Sequence, residues 1–181
     1  ASCMFSSLGK GLLYDARPIA VRRESVVSAA GVRRYRWHMS NYVIFVGSLR
    51  KASTNRQLAE AFIHHLPEGD TATVFDRLRD VPFYDEDLDV PGQEPEIVRE
   101  LRAAVRDADG LVIITPEYNH TAPAVITNAI DWCSRPMGSG VLMGKPSLVM
   151  GFTPGPRALS GAIAVRREAP VTLQASTVRT D

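Results

Sequence analysis

From Met39 onward the chain alternates short apolar runs with stretches in which apolar residues recur every three or four positions. Residues 42–47, YVIFVG, form an uninterrupted run of β-branched and aromatic side chains, which predicts a strand buried on both faces. Leu58, Ala61, Phe62 and Leu66 then recur at helical spacing, and TATVFD at 71–76 predicts a second strand. A second helix is predicted from about Glu96 to Ala108, with Ile97, Leu101, Ala104, Val105 and Ala108 on one face. GLVIIT at 110–115 reads as the third strand, and TAPAVITNAIDWCSR at 121–135 as a helix that Pro123 opens from its first turn. GKPSLVMGF at 144–152 reads as a fourth strand and PVTLQAS at 170–176 as a fifth. Strands alternating with helices imply a parallel sheet of about five strands covered on both faces, a three-layer α/β fold.

Between the second strand and second helix, residues 80–95 read DVPFYDEDLDVPGQEP, with three prolines and six acids, and predict a loop. Its YDEDL stretch is expected to be a solvated acidic segment, with a lid or subunit contact as the alternative. In doubly wound sheets ligands bind beyond the carboxyl ends of the strands, where strand order reverses. The loops after YVIFV, GLVII and SLVMG are therefore the ones in which to look for chemistry.

The first of these reads GSLRKASTNRQ. It has only Gly47 and so lacks a dinucleotide G-x-G-x-x-G motif. It offers Ser48, Arg50, Ser53, Thr54 and Asn55, followed by a helix start where Thr54 and Gln57 have the spacing of a capping box. Hydroxyls, an amide, a guanidinium and helix N-terminal N–H groups suit one phosphate monoester. An ordinary capped loop is the competing reading. The second loop, PEYNHTAP at 116–123, places polar side chains and N–H groups where the edge of a flat heterocycle can be read. The stretch GSGVLMGKP is no phosphate-binding P-loop, because Ser139 stands where its first glycine belongs and Pro146 follows the lysine.

Composition narrows the class. At 181 residues, with 45% hydrophobic and 23% charged residues, the chain is of ordinary single-domain size, and no run of about 18 apolar residues predicts a membrane span, so a soluble protein is expected. Cys3 and Cys133 stand far apart without a CxxC or a histidine at ligand spacing, which argues against zinc and fits a reducing, cytoplasmic setting. Cys133 is expected to be a buried small apolar residue, and of the adjacent His64 and His65 one is expected exposed and one half-buried. Charge is uneven: residues 1–38 hold seven Lys/Arg against two acids, and the remainder 14 against 18. Residues 1–38 are therefore set apart from the domain at 39–181 as a non-core basic extension. A gene-level extension ahead of Met39 is the expectation, with an organelle-targeting leader or a nucleic-acid-binding arm as alternatives. IAVRRE occurs at 19–24 and again at 163–168, and nothing physical explains the repetition.

GSLRKASTN, PEYNHTAPAVITNAIDWCSR and GKPSLVMGFTPG, in this order and spacing, resemble the NAD(P)H-dependent FMN reductase family of flavodoxin-like proteins, which includes quinone, chromate and azo-dye reductases. The resemblance runs from about Asn41 to Arg157. It implies a flavodoxin-like sheet binding FMN without a covalent link, with NADPH or NADH as co-substrate. Ser48, Arg50, Ser53, Thr54 and Asn55 would hold the phosphate; Pro116, Glu117, Tyr118 and Asn119 would line the isoalloxazine ring; Thr153 would stand in the third loop. It further implies ping-pong hydride transfer to a quinone or similar small acceptor, and a homodimer or homotetramer with contacts near Trp132 and Arg135. No nucleic acid or membrane partner is implied.

The flavin carries such chemistry, so no catalytic side chain is assigned. Glu117 and His120 form a possible acid/base pair, against which stands a loop glutamate held by hydrogen bonds beside a histidine at the rim. The sequence departs from the family after the fourth strand. The paired glycines are missing, the next helix is confined to about Arg157 to Glu168, and the chain stops just after the fifth strand, which leads us to expect exposed apolar surface on one sheet face. An FMN-dependent reductase is the first reading of function; a degenerate or electron-carrying flavodoxin-like module is the second.

Overall fold

The computed structural model describes residues 40–152, together with the backbone of 24–27 and 33–36. The chain divides into two units, Ala1–His38 with Ser176–Asp181, and Met39–Ala175. In the first, β1 (Glu24–Val27) and β2 (Arg33–Arg36) pair antiparallel, with Glu24 opposite Arg36 and Val27 opposite Arg33. The sequence pattern did not predict this pair inside the basic extension, because two four-residue runs, one of them RRYR, show too little alternation to read as strands. The rest of that unit, the helix expected at 157–168 and the strand expected at 170–176 lie outside the described residues.

In the second unit β3 (Asn41–Val46), β4 (Thr71–Val74), β5 (Gly110–Ile114) and β6 (Ser147–Met150) form a parallel sheet in the order β4-β3-β5-β6. β3 and β5 are central and buried along almost their whole length, which is why they read as continuous apolar runs. β4, TATV, alternates between exposed and half-buried positions. Helices α1 (Thr54–His64), α2 (Glu96–Asp107) and α3 (Ala124–Ser134) complete the layers.

The two-residue period of the strands sorts their side chains between the layers. Val43, Phe45, Leu111, Ile113 and Val149 join Ile97, Val98, Leu101 and Val105 of α2 and Ile126, Ala129, Trp132 and Cys133 of α3 in one core. The alternate positions lie on the side of α1, where the Tyr42 ring meets Phe62 edge-on at 6.4 Å. Among the described residues the exposure expected on one sheet face is not found: Ile44, Val112 and Ile114 are fully buried. On α1 the deepest residues are Asn55 and Ala59, one step along from the predicted Leu58–Ala61 stripe. His64 and His65 are both exposed, correcting the expectation that one is half-buried. His65 already caps the helix, so the two rings turn to meet edge-on at 5.1 Å.

The YDEDL stretch is solvated as expected, with Asp85, Glu86, Asp87 and Leu88 all exposed, but the loop that carries it is anchored on both sides. Trp132 Nε1 donates to the Pro82 carbonyl at 2.8 Å, Asn128 Nδ2 donates to the same oxygen at 2.9 Å, and Tyr84 N donates to Asn128 Oδ1 at 2.8 Å. Asn128 and Trp132 stand four apart on α3, so both reach one stretch of loop backbone. Farther on, Arg102 binds both carboxylate oxygens of Asp89 at 2.8 Å and donates from Nε to the Trp132 carbonyl at 3.0 Å. The side chains of Arg102 and Asp89 are only 9% and 10% exposed. Lys145, rejected as a P-loop lysine, donates to the carbonyls of Arg106 and Ala108 at the end of α2, where a cation complements the helix dipole.

Candidate functional site

Strand order reverses between β3 and β5, because the chain crosses from β3 to β4 on one side and later returns to β5 on the other. The crevice of the doubly wound fold therefore opens beyond Val46 and Ile114. Backbone bonds tie the loops together there: Gly47 N donates to the Ile114 carbonyl at 2.8 Å, and Thr115 N to the Met150 carbonyl at 2.9 Å. The packing leaves no space for side chains at the seam. A Cβ on Gly47 would lie 2.6 Å from Thr115 Oγ1, and one on Gly151 only 1.9 Å from the Thr115 carbonyl.

The loop after β3 leads from this seam into α1. Ser53, not Thr54, caps the helix: its backbone is extended and its buried side chain accepts from Arg56 N at 3.4 Å. The chain enters the helix one residue earlier than a Thr54–Gln57 box requires, and Thr54 becomes the first helical residue. Thr54 and Asn55 therefore contribute N–H groups from the first turn, which an α-helix cannot satisfy internally. Asn55 is buried, and its amide makes a two-way bond with one backbone unit, Nδ2 to the Phe152 carbonyl at 2.8 Å and Phe152 N to Oδ1 at 2.9 Å. Its side chain thus fastens the loop after β6 to the start of α1. Ser48 is half-buried and Arg50 exposed, while Arg79 supports the loop by donating to the Leu49 carbonyl at 2.9 Å. Arg56 is engaged elsewhere, with Asp76 and Glu60.

The loop after β5 is a tight turn. Tyr118 N donates to the Thr121 carbonyl at 2.9 Å and Thr121 N to the Tyr118 carbonyl at 3.1 Å, leaving Asn119 and His120 as the two turn residues with φ of 53° and 65°. Both positions are left-handed, the type I′ geometry, and Asn and His are among the side chains that tolerate it best. Pro116 is buried, the Glu117 side chain is 9% exposed, and the Tyr118 residue is 51% exposed. His120 Nδ1 lies 3.1 Å from Glu117 Oε1, with the imidazole 68% exposed.

The structure thus brings together Ser48, Arg50, Ser53, Thr54 and Asn55 in one loop and helix start, and Pro116, Glu117, Tyr118 and Asn119 in the neighbouring turn. Thr153 lies outside the described residues. Trp132 is fully buried inside the chain and is not free for a subunit contact, while Arg135 lies over the Tyr84 ring at 5.5 Å. Sequence reasoning missed Thr115, Arg79 and Phe152 as the groups that join and support the loops. Cys133 is buried as expected, and burial pushes its thiol up to about 12, so it is no nucleophile. Among the described residues no group of three or more His, Cys, Asp or Glu is placed to hold a metal, and no helix is long and apolar enough to cross a membrane.

Comparison with known proteins adds to this geometry. The sequence model of the family described as NADPH-dependent FMN reductase matches residues 40–181. A 2-hydroxy-1,4-benzoquinone reductase from a Burkholderia species is 43% identical over 121 residues, 67% of this chain and 63% of that protein. A quinone reductase from Pseudomonas putida is 38% identical over 112 residues, 62% of this chain and 59% of that protein. The chain thus spans about three-fifths of the length of these curated relatives. A solved structure of the flavoenzyme NAD(P)H:(acceptor) oxidoreductase from Paracoccus denitrificans superposes with a TM-score of 0.70 at 30% identity, covering 78% of this chain and 76% of that one. At 17% identity and a TM-score of 0.56, the NAD(P)H:quinone oxidoreductase from Methanothermobacter marburgensis, with 80% of this chain and 90% of that one covered, shares the fold.

Proposed function

The chain belongs to the NADPH-dependent FMN reductase family, and on that premise we propose that it binds FMN and passes reducing equivalents from NADPH or NADH to quinones or similar small acceptors. The observation that carries the reading is the union, at the switch point, of an anion-suited helix start with a rigid turn suited to a planar ring. The donor set fits a phosphate monoester: the Ser48 hydroxyl, the Arg50 guanidinium and the first-turn N–H groups of Thr54 and Asn55. Ser53 and Asn55 serve by shaping that cradle, since the Ser53 hydroxyl caps α1 and the Asn55 amide holds Phe152. Pro116, Glu117, Tyr118 and Asn119 present the turn against the ring.

The bound flavin supplies the capacity to accept and return a hydride; the chain's task is to orient it and leave one face open. The family match extends to residue 181, through the segment whose divergence suggested a degenerate module, and so supports the reductase reading over that alternative. Operation in the cytoplasm, where reduced nicotinamide is at hand, is part of the proposal. So is a homodimer or homotetramer: Phe83 and Met137, 79% and 83% exposed, are apolar surface that a second copy would cover. The test is flavin retention. Protein mixed with FMN should elute yellow from gel filtration, and Arg50→Ala should weaken FMN binding about tenfold or more through loss of one charged contact. Elution without flavin, or equal affinity in the variant, would count against the phosphate assignment.

A further inference from the structure

Resting on the flavin site described above, we propose that His120 is the proton donor to the electron acceptor, held in place for that task by Glu117. The two side chains meet at 3.1 Å through Nδ1 and Oε1, yet their surroundings are opposite: the carboxylate is 9% exposed and the imidazole 68%. A carboxylate accepting from Nδ1–H fixes the ring's orientation and leaves Nε2 turned to a second partner. The backbone beneath is rigid. Tyr118 and Thr121 exchange both backbone bonds across the turn, and the left-handed conformation of His120 sets the direction in which the ring departs. The ring therefore stands exposed on the turn after β5, beyond the carboxyl end of the sheet.

The reaction needs such a group. A bound, reduced flavin would supply a hydride, and with it two electrons, which would turn a quinone into the hydroquinone monoanion. Breaking the Nε2–H bond of the doubly protonated His120 ring and forming an O–H bond on the acceptor then yields the neutral hydroquinone and leaves the Nδ1–H imidazole. Water returns the proton to the exposed imidazole, so one solvent proton is consumed per turnover. Ser48, Asn119 and Thr121 carry no comparably acidic proton, and Arg50 does not release its own. Tyr118 is the competing donor in the same turn.

The experiment compares two acceptors with FMN-loaded, prereduced protein in rapid mixing: 1,4-benzoquinone, which needs a proton, and ferricyanide, which takes electrons singly and needs none. His120→Asn keeps a residue that accepts the left-handed backbone, and it should lower the quinone-to-ferricyanide rate ratio on the order of 100-fold. Tyr118→Phe should leave that ratio within about threefold, since a neutral phenol is the poorer donor. An independent readout uses flavin-free protein: nitrogen-15 shifts of neutral His120 should report the Nδ1–H tautomer, and Glu117→Gln should convert it to a mixture. An unchanged ratio in His120→Asn, a fall caused by Tyr118→Phe instead, or a tautomer indifferent to Glu117→Gln would each overturn the assignment. If the wild-type protein takes up no FMN, the flavin reading itself falls and takes this assignment with it; if FMN binds and the ratio holds, only the role of His120 falls.

Discussion

Replacing Arg102 with leucine should cost far more stability than the count of its contacts suggests. The guanidinium makes two 2.8 Å bonds to Asp89, lies 3.5 Å from Glu94 and donates to the Trp132 carbonyl at 3.0 Å, with its carbon 5.6 Å from the Trp132 ring centre. Leucine restores part of the apolar contact but leaves Asp89, 10% exposed, as a carboxylate without its counter-charge. Breaking one side of such a buried pair costs about 3–5 kcal/mol, whereas removing both partners in favour of apolar side chains is often close to neutral. Arg102→Leu should therefore lower the midpoint of thermal unfolding by roughly 10 °C, at about 3 °C per kcal/mol for a unit of this size. Arg102→Leu/Asp89→Leu should recover most of it. Asp76→Asn supplies the contrast, since Arg56 and Asp76 are 36% and 59% exposed and an open pair is worth less than about 1 kcal/mol. Circular dichroism with urea and heat measures all three. A cost below about 1 kcal/mol for Arg102→Leu, or a double variant as unstable as the single one, would refute the reasoning.

Asn55→Ala removes both bonds to Phe152 and strands its N–H and carbonyl, so urea unfolding should show a loss of about 2–3 kcal/mol and titration a several-fold weaker FMN complex. Asn119, at φ 53°, should lose about 1 kcal/mol on change to alanine but almost nothing on change to glycine, as paired unfolding curves will show. Cys133 should resist thiol reagents in the native state and react at once in urea. Its thiol is raised from 9.0 to about 12 by burial, so the folded state keeps a proton that the unfolded state sheds as pH climbs past 9.0. Stability is thus fully present below that value and falls by about 1.4 kcal/mol per unit toward pH 12, and Cys133→Ala should flatten this slope in urea titrations at successive pH values.

Particular residues show where reading from sequence reached and where it stopped. YVIFV and GLVII are legible as central strands because burial on both faces demands an unbroken apolar run, and the face of α2 follows from Ile97, Leu101 and Val105. The cap of α1 was misplaced by one residue, because Ser53 and Thr54 have equivalent side chains and only the backbone tells which is extended. The anchoring of the loop at 80–95 was not legible because its anchors, Asn128, Trp132 and Arg102, come from helices 13 to 50 residues farther along. Asn55 read as a ligand for phosphate, and its side chain instead binds a backbone unit 97 residues away.

Local pattern, then, sufficed to determine the alternation of strands and helices, the parallel sheet and the three loops worth inspecting, since periodicity and turn chemistry act over neighbouring residues. The order β4-β3-β5-β6, the seam of Gly47, Thr115 and Gly151, and the pairing of His120 with a shielded Glu117 were decided only in three dimensions. Each of those depends on which distant backbones come to lie side by side and on how much water is left between them, and neither quantity is written in any short stretch of the chain.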